Sequence, residues 1–119
     1  MEIQIIEKTN DKIAVLADKK YKINTPHDAA ELLMNCQYMD SNKVIISKEN
    51  LPDEFFDLKT KVAGEILQKF STYNGYLAII GDFSKFTSKS LRDFIYESNK
   101  QRRINFVGSE EEAFRALGK

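Results

Sequence analysis

The chain has 119 residues, of which 42% are hydrophobic and 30% are charged. This length suits one domain, and this hydrophobic content can build a buried core, which excludes a disordered or fibrous protein. Lysine plus arginine and aspartate plus glutamate number 18 each, so no net charge draws the chain to nucleic acid or to an anionic membrane. We therefore expect a single domain over residues 1–119 that binds neither nucleic acid nor membrane.

Cysteine usage and hydropathy indicate the compartment. Cys36 is the only cysteine, so it can form neither an intrachain disulfide nor a cysteine-rich metal site, and a lone thiol is typical of the reducing cytoplasm. The longest apolar runs have about five residues, against the ~20 that span a bilayer. Residues 1–4 lack the basic start of a signal peptide. We expect a cytoplasmic protein without a metal or a cofactor.

The first part of the chain predicts a hairpin followed by a helix. Apolar and polar residues alternate over residues 2–7, and residues 12–17 predict the returning strand. The Thr-Asn-Asp sequence at residues 9–11 favours the turn between them. The helix begins at Thr25 and Pro26, because threonine caps free amides and proline suits the first helical position.

The middle of the chain predicts two buried strands with a helix between them. Continuous apolar runs at residues 43–47 and 76–81 are typical of strands covered on both faces. Residues 55–70 predict the helix, with Asp57 as its N-cap. Gly75 ends it, because glycine accepts the left-handed conformation that a helix end requires.

The last part of the chain predicts a helix, a strand and a helix. The first of these helices begins near Thr87 or Ser88 and buries a stripe that includes Leu91. A short strand follows at residues 104–107. Ser109 and Glu112 have the spacing of a capping box and predict the start of the final helix.

The predicted elements run β-β-α-β-α-β-α-β-α. Alternating strands and helices imply parallel neighbouring strands, joined by right-handed crossovers and covered by helices. The opening hairpin adds an antiparallel pair. We therefore predict an α/β fold with a mixed central sheet.

The predicted helix at residues 55–70 has a glycine, Gly64, at the border between its buried and exposed sides. Thr60 and Gly64 are four residues apart and share a helical face beside the buried side. Glycine in a helix interior costs about 1 kcal/mol relative to alanine. Gly64 is therefore explained either by tight packing within the fold or by close approach of another chain or a ligand.

The start of the same helix carries unexplained charge. Lys59 and Lys61 oppose the helix dipole by a few tenths of a kcal/mol, so local stability does not account for them. Free helix-start amides and two lysines can hold a phosphate or a carboxylate. The sequence contains neither common glycine-rich nucleotide motif, which weakens the case for a nucleotide. A small anion or a nucleotide is therefore the alternative ligand, after a protein.

A second polar cluster follows the strand at residues 76–81. Asp82, Ser84 and Lys85 stand at the carboxyl edge of that strand, where open α/β sheets bind ligands; ordinary loop chemistry is the other interpretation. The residues that follow the strand at residues 43–47 should lie beside this polar cluster. The only histidine, His27, is expected at the surface, so Ser84 has no visible base and we assign no catalytic residue.

Four phenylalanines flank the two polar clusters: Phe55, Phe56, Phe83 and Phe86. If at least two of them are exposed, they form a hydrophobic docking patch, and if they are buried, they belong to the core.

The element order, with an apolar strand that runs into a Phe-Phe-Asp turn and a helix, resembles the STAS domains of bacterial anti-sigma-factor antagonists. The resemblance covers most of the chain and lies in element order rather than in residue identity. It implies that the turn before the second helix binds a protein partner and is phosphorylated. Asp57 takes the place of that turn's aspartate. Leu58 and Lys59 stand where its serines would be, which leaves Thr60 as the only hydroxyl.

A more specific resemblance covers nearly the whole chain. The segments at residues 55–60, 63–70, 81–84 and 90–99 look like an uncharacterised bacterial family, domain of unknown function 4180. The family implies no activity.

We therefore predict a non-enzymatic regulatory module that binds a protein partner or a second copy of itself. A sensor of a small anion or a nucleotide at the same helix start is the alternative. Thr60 is also the candidate phosphorylation site. The predicted contact residues are Asp57, Lys59, Thr60, Gly64, Asp82, Ser84 and Lys85.

Overall fold

The computed structural model describes residues 1–8 and 10–118, so Thr9 of the predicted hairpin turn lies outside the described residues. The described residues form five strands and four α-helices in the predicted order. Their bounds are β1 Ile3–Lys8, β2 Asp11–Leu16, α1 Pro26–Tyr38, β3 Lys43–Ser47, α2 Val62–Thr72, β4 Tyr76–Ile80, α3 Lys89–Gln101, β5 Ile104–Val107 and α4 Glu110–Leu117.

The strands form one mixed sheet in the order β1-β2-β3-β4-β5. β1 pairs antiparallel with β2, and the remaining neighbours are parallel. The ladder between β3 and β4 ends at the pair Ser47–Ile80. The residues that follow these two strands therefore lie side by side at the carboxyl ends of the strands, as the sequence predicts.

The helices cover the two faces of the sheet unequally. Consecutive parallel strands joined by right-handed crossovers place all connecting helices on the same face. Accordingly, Leu33 of α1, Phe70 of α2 and Phe94 of α3 pack into one core. α4 follows the last strand and connects no two strands, and it packs on the opposite face through Ala113 and Leu117. Within residues 1–8 and 10–118, no helix is both long and apolar enough to cross a membrane.

Two helices begin at the caps that the sequence predicts. The Thr25 hydroxyl accepts the amide of Asp28 at 3.1 Å, and the Asp28 carboxylate accepts the amide of Thr25. The Ser109 hydroxyl accepts the amide of Glu112 at 3.1 Å, and the Glu112 carboxylate accepts the amide of Gly108 at 2.6 Å. The two hydroxyls satisfy amides that the first turn of a helix leaves free. The Asp28 carboxylate reaches the amide of the N-cap Thr25, whereas the Glu112 carboxylate reaches Gly108, one residue before the N-cap, so the predicted capping box at Ser109 is only half formed.

The helix predicted over residues 55–70 begins later than predicted. Two 3-10 turns, Asp53–Phe56 and Leu58–Thr60, occupy its first part, and α2 begins at Val62. Lys61 separates them with a φ of 67°. This left-handed conformation cannot continue a right-handed helix, so the prediction of one continuous helix was wrong.

A buried asparagine holds the loop between β2 and α1. Asn50 is fully buried, and its side-chain amide donates to the carbonyls of Asp18 and Tyr21 at 2.9 and 2.8 Å. Its side-chain carbonyl accepts the amide of Ser47 at 2.9 Å. The end of β3 is thereby fixed to the preceding loop, which positions the chain that leads to α2.

Candidate interaction surface

Asp57 caps a 3-10 turn rather than α2. Its carboxylate accepts the amide of Lys59 at 3.2 Å, and its backbone carbonyl accepts the amide of Thr60 at 3.0 Å. The predicted role of Asp57 as the N-cap of the long helix was therefore wrong, because the left-handed Lys61 intervenes. Asp57 and Lys59 are both exposed.

The hydroxyl of Thr60 joins the two 3-10 turns to α2. Its oxygen lies 2.7 Å from the carbonyl oxygen of Glu54 and 2.8 Å from that of Asp57. It also accepts the amide of Val62 at 3.2 Å. A hydroxyl has one proton and donates to one carbonyl at a time. Thr60 is exposed, yet its hydroxyl oxygen holds the two 3-10 turns and the start of α2 together.

The first turn of α2 leaves two backbone amides without an acceptor among the described residues, that of the buried Ala63 and that of the exposed Gly64. The next amide, that of Glu65, donates to the carbonyl of Lys61 at 3.1 Å. Free amides at a helix start form the positive end of the helix dipole. The exposed Lys59 and Lys61 lie on the chain just before them.

Gly64 lies in the first turn of α2 beside open space. A Cβ atom added at this position meets no atom within 4 Å, so tight packing within the fold does not explain the glycine. Gly64 instead lines an open groove of about 630 Å³ together with Leu58 and Phe94. The predicted helical pairing of Gly64 with Thr60 was wrong, because Thr60 belongs to the preceding 3-10 turn.

Asp82 and Ser84 form a polar pair in the loop after β4. The hydroxyl of Ser84 donates to the Asp82 carboxylate at 2.6 Å, and the amide of Ser84 donates to the same oxygen at 3.0 Å. These bonds, followed by the positive charges of Lys85 and Lys48, hold the pKa of Asp82 below its ordinary value. The loop therefore presents a fixed carboxylate beside exposed lysine.

Half-buried phenylalanines join the two polar clusters. The ring of Phe56 stacks on that of Phe86 at 5.0 Å and lies 6.2 Å from that of Phe83, centroid to centroid. Phe55 is fully buried, so the four phenylalanines divide between core and rim. The Lys48 ammonium lies 4.8 Å from the Phe86 centroid. We call the following set the helix-start surface: Asp57, Lys59, Thr60, Gly64, Asp82, Ser84 and Lys85.

Two residues that line the groove at Gly64 were not among the predicted contact residues. Leu58 and Phe94 pack against the core, yet both remain half-buried and line the groove. Their places at the margins of apolar stripes were the available signal. Apolar residues at such margins can contact the core and a second molecule together.

The other titratable candidates have limited chemistry. His27 is exposed in the first turn of α1. Cys36 is buried, and burial raises the pKa of its thiol to about 12. In residues 1–8 and 10–118, no group of three or more histidine, cysteine, aspartate or glutamate side chains could hold a metal ion.

Comparison with known proteins bears on family and fold. The family model described as Domain of unknown function (DUF4180) matches residues 8–117. No curated protein matches the chain. The crystal structure of a candidate anti-sigma factor antagonist from Thermotoga maritima, at 1.59 Å resolution, is similar with a TM-score of 0.52 and 13% identity. The match covers 99% of this chain and 94% of that chain.

The similarity to the solved structure confirms the predicted fold, a STAS-like α/β domain with a mixed sheet and an opening hairpin. At 13% identity the similarity concerns the fold alone. The family match extends over nearly all of the chain and confirms the resemblance predicted from its segments. The chain belongs to the family of Domain of unknown function (DUF4180).

Proposed function

We propose that the chain is a non-enzymatic regulatory module that binds a protein partner through the helix-start surface. The observation that carries the proposal is the open space at Gly64, where an added Cβ meets no atom within 4 Å. Glycine weakens a helix relative to alanine, and the fold's own packing does not require it here. Close approach of another molecule to the backbone would explain why this residue is glycine.

The surroundings of Gly64 suit a protein partner. The half-buried Leu58 and Phe94 offer apolar area in the groove. Lys61, Glu65 and Lys69 line the same groove and offer charges of both signs around it. An apolar centre with a charged rim is the usual composition of a protein–protein interface.

The structural neighbour also supports a protein partner. An anti-sigma factor antagonist is, by its name, a protein that acts on another protein. The two chains share the STAS-like fold over nearly their whole lengths. We extend the class of partner from that protein to this one, without its identity.

Phosphorylation of Thr60 is a form of regulation that would act directly on the turn. The phosphate would replace the hydroxyl proton that bonds the carbonyl of Glu54 or Asp57. It would also add about two negative charges, beside Lys59. The expected result is a rearranged turn, so Thr60→Glu should change partner affinity while Thr60→Ser preserves it. Equal affinity for both variants contradicts this form of regulation.

Affinity capture from a lysate of the native host tests the proposal. The full chain as bait should enrich a protein that the Lys85→Glu bait enriches about tenfold less, because charge reversal within an interface opposes binding. Lys100→Glu is the matched control, since Lys100 is an exposed lysine on α3, outside the helix-start surface. If the Lys85→Glu bait recovers every protein that the Lys100→Glu bait recovers, the proposal fails.

A small-anion or nucleotide sensor is the second candidate function. The free amide of the exposed Gly64, with the exposed Lys59 and Lys61 just before it on the chain, favours this function, because such amides bind phosphate at helix starts. Thermal unfolding with inorganic phosphate and with a nucleotide panel separates the two functions. A rise in Tm that Lys59→Ala abolishes supports the sensor, and an unchanged Tm at millimolar ligand excludes it.

A further inference from the structure

The two edge strands of the sheet differ in whether other residues hydrogen-bond to their outward backbone groups. β5 forms one edge and β1 the other. At β5, the side chain of Asn99 donates to the carbonyl of Phe106 at 3.2 Å and accepts the amide of Phe106 at 2.7 Å. One asparagine therefore makes both hydrogen bonds that a neighbouring strand would make to Phe106. This contact obstructs the pairing of a further strand at β5.

At β1 the outward backbone groups are left open. The amide of Ala17 donates to the carbonyl of Glu2 at 2.9 Å, which makes these residues a hydrogen-bonded pair of the hairpin. Such pairs alternate with pairs whose backbone groups point away. Ile3, Ile5 and Glu7 therefore direct their amides and carbonyls out of the sheet, and no group of residues 1–8 and 10–118 hydrogen-bonds to them there.

The strand itself is a regular template. Its ladder with β2 runs without a bulge from the pair Ile3–Leu16 to the pair Lys8–Asp11. β1 contains no proline, and its central residues, Ile5 and Ile6, are isoleucines. Edge strands that avoid pairing typically carry a bulge, a proline or a central lysine. β1 carries its two charges, Glu7 and Lys8, at its C-terminal end instead.

We propose that a second copy of this chain pairs antiparallel with β1, across a twofold axis through Ile5. In this register Ile5 faces Ile5 of the second copy, and Ile3 faces Glu7 of the second copy. All outward backbone groups of one strand then meet those of the other, as a closed antiparallel pair requires. The two sheets become one continuous sheet.

Charge complementarity selects both the occupant and the register. In the proposed register Glu2 lies opposite Lys8 of the second copy, and the twofold axis generates the same pair again. Opposite charges directly across an antiparallel pair stabilise it. A shift of the axis to residue 4 or residue 6 keeps the backbone bonding but separates these charges. The strand is thus self-complementary about Ile5, which favours a second copy over an unrelated strand.

The proposed dimer is independent of the proposed function. The helix-start surface lies beyond β3 and β4 and includes no residue of β1. Pairing at β1 therefore leaves that surface open in both copies.

Sedimentation equilibrium of the full chain, from micromolar to millimolar concentration, tests the dimer. Glu7→Pro removes an outward amide without removing a hydrogen bond of the hairpin, since proline is tolerated on the open side of an edge strand. Glu7→Ala is the matched control that retains the amide. We expect the proline variant to dimerise about tenfold more weakly than the alanine variant. A wild-type chain that stays monomeric, or equal association of the two variants, overturns the proposal.

A charge exchange tests the register and does not depend on proline. Glu2→Lys places two lysines opposite each other and should weaken dimerisation about tenfold. Adding Lys8→Glu recreates the opposite-charge pair in reverse and should restore association, with circular dichroism confirming the fold of each variant. If Glu2→Lys associates like the wild type, or if the double variant does not recover, the proposed register is overturned.

Discussion

The hydroxyl oxygen of Thr60 lies 2.7 Å from the carbonyl oxygen of Glu54, across the two 3-10 turns that precede α2. The contact joins residues six positions apart and holds together a segment that is neither α-helix nor strand. Because Thr60 is exposed, an accessible side chain maintains the shape of the helix-start surface. The candidate modification site and the brace of this surface are therefore the same atom.

Removing the Thr60 hydroxyl should loosen the turn. Thr60→Val keeps the shape of the side chain but loses its hydrogen bonds, so the free energy of unfolding should fall by about 1 kcal/mol. Thr60→Ser keeps the hydroxyl and serves as the matched control. Urea denaturation measures both variants. If the valine variant is as stable as the serine variant, Thr60 does not brace the turn.

The left-handed conformation of Lys61 should be costly for any residue with a Cβ. Its φ is 67°, and L-residues pay about 1–2 kcal/mol for this conformation. Lys61→Gly should therefore be about 1 kcal/mol more stable than Lys61→Ala, although both variants lose the same charge. Thermal or urea unfolding measures the difference. Equal stability would show that the conformation is not strained.

Acidification should act on the loop after β4 through Asp82. Hydrogen bonds from Ser84 lower the pKa of Asp82, so the folded-state pKa lies below the unfolded-state value. The stabilisation is therefore complete above the ordinary pKa of an aspartate and is lost as the pH falls through the folded pKa. In an NMR titration, Ser84→Ala should raise the pKa of Asp82, while Ser90→Ala, a control in α3, should not. An unchanged pKa in Ser84→Ala contradicts the assignment.

Cys36 should be unreactive in the folded chain. Burial raises its pKa to about 12, and the thiolate is the reactive form. A thiol reagent at neutral pH should label Cys36 only after denaturant unfolds the chain. Labelling of the native protein at the rate of a free thiol would contradict its burial.

Local signals predicted most of the fold. The caps at Thr25 and Ser109 depend on residues three positions away, and the structure forms both. The buried strands at residues 43–47 and 76–80 were visible as apolar runs, because strands covered on both faces need no polar side. Neighbouring parallel strands then predicted which loops share an edge of the sheet.

The part that sequence did not predict lies where distant groups decide the backbone. The hydrogen bond of Thr60 with Glu54 and the left-handed Lys61 delay the start of α2, although the local pattern favours a helix from Phe55. Asn50 similarly fixes a loop through Asp18, far away in sequence. Helical periodicity carries no information about such contacts.

We propose that Gly64 is glycine because a molecule outside the fold approaches it closely. Gly64→Leu fills open space and should leave the free energy of unfolding within about 1 kcal/mol of wild type, since leucine is a better helix former than glycine. The same side chain should block close approach to the helix-start surface. Ser71→Leu is the matched control, because Ser71 is exposed on the same face of α2, about two turns further along.

The most direct measurement is the amount of the captured partner that a Gly64→Leu bait retains, relative to a Ser71→Leu bait, with both baits shown to be folded. We predict a loss of about tenfold or more for Gly64→Leu and no loss for Ser71→Leu. Equal retention by two folded baits, or unfolding of the Gly64→Leu chain, would contradict the account.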